Sequence, residues 1–115
     1  MAKADPAPQL RALRSGQFEV EGVLTTPHVA RLRAAGLAAL RAAAAATAGA
    51  NAGTTGELSV DLGKITRVDS AGLALLIDWL AFVQQSGRRL RYSGGPPSLR
   101  ALARVSDVEN LIYPA

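Results

Sequence analysis

Arg67-Val68-Asp69-Ser70-Ala71-Gly72-Leu73-Ala74-Leu75-Leu76-Ile77-Asp78-Trp79-Leu80 is the stretch that decides how this chain folds. A polar pair, Asp69-Ser70, precedes a long apolar run of helix formers. Ser and Asp are preferred N-caps because their side-chain oxygens accept from the free N–H groups of a first helical turn. The pattern predicts a helix that starts with Ser70 as cap and runs to Gln85, with Gly87 as its stop. Its first turn, Ala71-Gly72, is small, so another surface is able to approach the backbone there.

At 100° per residue, Ala71, Ala74, Asp78, Ala81 and Gln85 share one small or polar side of that helix. Leu73, Leu76, Leu80 and Val83 form the opposite, core-facing side. Leu75, Trp79 and Phe82 lie between them. The apolar arc spans roughly 220°, against the ~100° stripe of a one-sided surface helix. A second helix of the same chain or a partner protein must cover the excess. For Leu75 the neighbouring helix is the expectation; for Trp79 both remain open.

Outward from this helix the chain alternates strands and helices. Upstream, residues 57–62 alternate apolar and polar, as a half-buried central strand does, and residues 63–67 are read as a crossing segment. Thr26-Pro27 opens an earlier helix: Thr26 can cap it, and Pro27 suits a first helical position where an N–H is unpaired anyway. That helix carries Val29, Leu32, Gly36 and Leu40 on one face, points Arg31 and Arg41 to solvent, and fades in the alanine run 42–46. Residues 47–56 read as a mobile loop. Before it, residues 10–13 and 17–21 form an antiparallel hairpin about Ser15-Gly16, and residues 22–24 lead into a loop. Downstream, residues 88–92 are a strand. A short helix opening near Ser98 turns Leu99, Leu102 and Val105 inward, and residues 108–113 form a last strand or extended tail. The order β-β-α-β-α-β-α-β implies a mixed, largely parallel sheet with right-handed crossovers.

Composition narrows the function. The 115 residues make one small domain, residues 10–115, behind a loose leader, residues 1–9. A chain of this size buries roughly 65% of its unfolded surface. There is no cysteine, hence neither a disulfide framework nor thiol chemistry. The start has no signal-peptide pattern, and Asp78 interrupts the best apolar run, so no membrane span is expected. The net charge is +4, yet only five side chains are aromatic. Nucleic-acid binding pairs clustered cations with stacking rings. Here the tight cluster Arg88, Arg89 and Arg91 reads as a solvated strand edge.

Nothing assembles into a catalytic set. His28 is the only histidine and sits at a helix start, away from Ser70 in sequence. Asp61 and Asp69 are a candidate carboxylate pair, but no long loops accompany them to build a cleft; the plainer role of Asp69 is to hold the loop and cap, and of Asp61 to face solvent or a helix N-terminus. No His/Cys cluster supports a metal. Ser70 is the position of interest. A phosphate there adds roughly −1.5 to −2 charges at a helix N-terminus, which favours an anion by up to ~1 kcal/mol. A partner packed over Ala71 and Gly72 would not tolerate it. Ser70 is therefore suited to a contact or a switch.

With these residues in hand, the strand 58–62 followed by Ile65 and by Val68-Asp69-Ser70-Ala71-Gly72-Leu73 resembles the signature of STAS domains, the sulfate-transporter and anti-sigma-factor-antagonist family. The resemblance runs from Phe18 to Ile112. It implies the α/β STAS (SpoIIAA-like) fold, a mixed, mostly parallel sheet of four or five strands with three or four helices. Within the family, VDLGKITRVDSAGLALLIDWL and the Gly-Arg-Arg-Leu that follows are most similar to the MlaB group, the cytoplasmic STAS subunits of Mla phospholipid ABC transporters. That similarity implies a non-catalytic subunit, peripheral to the inner membrane, that binds and regulates an MlaF-like ATPase under an MlaE-like permease. Such transporters maintain outer-membrane lipid asymmetry. It also implies Asp69, Ser70, Ala71, Gly72, Leu73 and Trp79 as partner-binding residues, with no cofactor, metal or nucleic acid. The alternative within the family is an anti-sigma-factor antagonist, in which the serine matching Ser70 is phosphorylated by a partner kinase. The run Leu-Ala-Leu-Leu-Ile-Asp-Trp-Leu after the serine favours the MlaB group.

Overall fold

A computed structural model describes residues 8–14, 16–50 and 57–113. Residues 1–7 of the expected leader and 51–56 of the expected loop lie outside these residues, while Gln9 already belongs to a strand and residues 47–50 to a helix. The elements are β1 (Gln9–Arg14), β2 (Gln17–Leu24), α1 (Thr26–Ala50), β3 (Glu57–Val68), α2 (Ser70–Gln85), β4 (Arg89–Ser93), α3 (Pro97–Val105) and α4 (Glu109–Ile112). One sheet runs β1-β2-β3-β4, with β1 antiparallel to β2 and the other two pairings parallel. Strand order follows chain order without reversal. Right-handed crossovers then place α1 and α2 side by side on one face.

The register explains the two faces. Phe18, Val60 and Tyr92 form one row, Leu58 and Leu90 another, and all five are buried beneath the helices. The alternate residues Arg11, Glu19, Asp61 and Ser93 share a row on the opposite face. That face is polar. Glu19 is buried there to 6% exposure, yet its carboxylate lies 3.7 Å from Arg11 and 3.5 Å from Lys64. A buried carboxylate is tolerated only when cations and donors replace its water.

The second half of β3 differs from the expectation of a crossing segment. β3 continues to Val68 alongside β2, which itself continues to Leu24 rather than ending at residue 21. Two register shifts, opposite Glu19/Glu21 and Gly22/Val23, each give β3 one extra residue. Each bulge turns a two-residue inward repeat into three. Inward positions therefore run 58, 60, 62, then 65, then 68, and the alternation that marks a strand disappears from residues 63–67.

Three helical expectations are also corrected. α1 does not fade at the alanine run but continues through it to Ala50, as the residue of highest helix propensity allows. In α3, Ala103 is buried and Val105 is 85% exposed. Position 105 lies six residues beyond Leu99, a rotation of roughly 240° that takes it off the core face. Residues 108–113 contain no strand. Ile112 N–H donates to Val108 C=O and Tyr113 N–H to Glu109 C=O, closing the single turn α4 and burying Ile112. α2, by contrast, spans Ser70–Gln85 as expected, and Gly87 follows it at φ +82°, the left-handed conformation of a helix stop.

α2 is fixed to its neighbours at two points. Tyr92 Oη donates to Leu76 C=O at 2.7 Å from beneath, and burial pushes that phenol well above its ordinary pKa of 10.0, so it stays a donor. On the other side Trp79 is 0% exposed and lies on Gly36 of α1. A Cβ at Gly36 would meet the ring at 2.1 Å. The Trp79 indole N–H is enclosed and has no hydrogen-bond partner among the described residues, so shape rather than polarity seats the ring.

Candidate partner-binding site

The site begins with strand register. Leu24 and Val68 are paired at the ends of parallel β2 and β3. The two chains therefore leave the sheet abreast, and α1 and α2 start next to each other. Asp69 N–H donates to Leu24 C=O at 3.2 Å and closes the ladder. The Asp69 carboxylate then serves both helices. One oxygen accepts from Gly72 N–H at 3.1 Å; the other accepts from Thr26 N–H at 3.0 Å and Thr26 Oγ1 at 2.9 Å.

The cap of α2 is thus Asp69 and not Ser70, which is the first helical residue. Partial burial alone would raise the Asp69 pKa. Donation from the Thr26 backbone, the Gly72 backbone, the Thr26 hydroxyl and the Ala71 backbone outweighs it, and the pKa falls below the ordinary 3.8. Asp69 is therefore a satisfied structural anion. It makes no pair with Asp61, which is eight residues away along β3, roughly 25 Å at strand rise. Asp61 accepts from Gly63 N–H at the first bulge.

Gly72 is small for an internal reason. A Cβ there would meet Leu24 C=O at 2.2 Å and the Val68 side chain at 2.9 Å, so the first turn of α2 packs on the end of β2. Gly72 and Leu73 are buried. With Trp79 also in the core, three of the six expected contact residues offer no surface, and the reading of Trp79 as an interface residue is corrected. Ser70 is exposed and Ala71 half-buried. The Ser70 hydroxyl, relieved of capping, makes no hydrogen bond among the described residues. His28 is half-buried on the first turn of α1.

Beside Ser70 a shallow groove of about 380 Å³ runs between the helices, lined by Val29, Ala30, Ala71, Ala74 and Leu75. The Arg33–Asp78 ion pair bridges the helices at its far end, and a smaller hollow of about 180 Å³ with Leu37, Ala81 and Phe82 lies beyond it. This surface offers shape and a few charges. Its groups can bind and be displaced; nothing in it combines a nucleophile with a base.

A family model described as "Mlab, STAS domain" matches residues 11–113. The chain is a STAS domain. Among curated proteins, none matches this sequence. Among solved structures, it is similar to the anti-sigma factor antagonist SpoIIAA in its unphosphorylated form, with 17% identity, 92% of this chain and 85% of that one covered, and a TM-score of 0.65. At that identity the likeness is one of fold: a four-stranded mixed sheet with four helices.

In this STAS domain α2 starts at Ser70, as its sequence pattern predicts, whereas the part α1 plays in the groove has no such pattern. Thr26, a cap for its own helix by sequence, is instead the first residue of α1, and its N–H and hydroxyl both donate to Asp69. Val29, Ala30 and Arg33 carry no local signal; only the α1–α2 packing brings them to the groove. The available signal was Gly36, a glycine inside a helix, which marks the close approach of a bulky partner.

Proposed function

We propose that this STAS domain is a non-catalytic subunit that binds and regulates the ATPase of a phospholipid ABC transporter maintaining outer-membrane lipid asymmetry. The match of residues 11–113 to the Mlab STAS family model carries the reading. The contact is the tip of α2, Ser70 and Ala71, set at a fixed angle by Asp69, with the adjoining α1–α2 groove as its continuation. The domain sits in the cytoplasm, peripheral to the inner membrane through its complex with an MlaF-like ATPase and, through that, an MlaE-like permease. No helix among the described residues is long and apolar enough to cross a membrane.

A second reading, an anti-sigma-factor antagonist controlled by phosphorylation of Ser70, is favoured by the likeness to SpoIIAA and by the free, exposed Ser70 hydroxyl. One substitution separates the partners. Ser70→Glu places a carboxylate at the first position of α2, where the helix dipole accommodates it, so the thermal midpoint should hardly change. Affinity for a co-expressed ABC ATPase, measured by calorimetry, should fall because the new charge must be desolvated in the contact. Unchanged affinity would remove Ser70 from that interface. Recovery of a serine kinase with no transporter subunit would move the assignment to the second reading.

A further inference from the structure

A cleft lies at the opposite end of α2 from Ser70, about 24 Å away for a sixteen-residue helix. It measures about 610 Å³ and is bounded by Glu57 at the start of β3, Leu80 and Gln84 of α2, Arg88, Arg89 and Leu90 about the start of β4, and Leu111 of α4. Three observations converge on it. First, β4 ends the sheet order and pairs only with β3; its outer N–H and C=O groups make no backbone hydrogen bond among the described residues. Second, Arg88 and Arg89 form no ion pair among the described residues, whereas Glu57, the acid that lines the same cleft opposite Arg89, lies 3.8 Å from Arg91. Third, Leu111 is 56% exposed beside half-buried Leu80, an apolar step that the described residues leave uncovered.

We propose that this cleft takes an extended acidic peptide segment of a partner protein, added to the sheet as a fifth strand along β4. An unpaired strand edge supplies a ladder of donors and acceptors that another backbone matches. β4 has five residues, so the guest pairs over roughly 17 Å. Its carboxylates meet Arg88 and Arg89, and one apolar side chain seats between Leu80 and Leu111. A lipid headgroup would answer the guanidinium groups but not the backbone edge. This surface is separate from the Ser70 tip, so the proposal stands or falls apart from the transporter assignment.

The test is titration of the isotopically labelled full chain with an eight-residue capped peptide that alternates glutamate and valine about a central leucine, followed by amide NMR. Saturable shifts are expected for residues 89–93 and Leu111, with slowed hydrogen exchange of the outward β4 amides. The double substitution Arg88→Glu/Arg89→Glu should weaken binding by about tenfold or more with the thermal midpoint unchanged. Ser70→Glu should leave peptide binding intact. The proposal is overturned by no saturable shift at millimolar peptide or by equal binding of the lysine-for-glutamate peptide. It is equally overturned by shifts confined to the Ser70 end, or by phosphatidylglycerol vesicles shifting the β4 amides when the peptide does not.

Discussion

Asp69 does at the residue scale what the fold needs where two helices leave the sheet side by side. One carboxylate ties the first turns of two helices, and its low pKa follows from the four donations it receives. Asp69→Ala should cost about 1–3 kcal/mol in denaturant unfolding, a cap loss plus two donors left without their acceptor. The pH dependence has a definite sign. The folded pKa lies below that of the unfolded chain, so ionised Asp69 favours the native state. That stability is complete above about pH 4 and is lost as pH falls through the folded pKa. The stability gap between the parent and Asp69→Asn should therefore narrow below about pH 4; a gap that widens there would contradict the assignment. Gly72→Ala tests the neighbouring contact. Its Cβ would strike a backbone carbonyl rather than a flexible side chain. A loss of about 1–3 kcal/mol is expected, and an unchanged midpoint would show that α2 does not rest on β2 there.

Between elements, the contact that orders the helical layer is Trp79 on Gly36. Trp79→Ala should cost about 3–5 kcal/mol, the loss of a large buried ring. An interface tryptophan would cost far less, so thermal unfolding of the isolated domain is a sufficient check. The limits of sequence reading also lie at this scale. α2 was legible because its cap pair, its apolar run and its glycine stop all agree. The far half of β3 was not, because two bulges replaced the two-residue repeat at Gly63 and Thr66 while the strand went on. α4 was hidden by the β-branched and aromatic residues Val108, Ile112 and Tyr113, whose strand propensity yields here to one turn that buries Ile112. At the site, Ser70 and Asp69 were visible together, but their division of labour was not. Both residue types cap helices, and only the position of Thr26 across the β2–β3 register decides which one does.

Taken whole, the molecule puts every helix of its layer on one side of a four-stranded sheet and leaves distinct surfaces free. One is the α2 tip with the α1–α2 groove; another is the charged face of the sheet; a third is the β4 edge at the far end. The strand order never reverses, so the crevice that a topological switch point would open for a small ligand does not arise. What remains accessible is suited to macromolecular contact. The most direct measurement is purification of the tagged full chain from its native host, with the co-purifying proteins identified for the parent and for Ser70→Glu side by side. The parent should bring down an ABC ATPase with its permease, and Ser70→Glu should lose both while remaining folded. An ATPase recovered equally with both chains, or a kinase in place of the transporter, would contradict the α2 tip as the point where this domain meets a transporter.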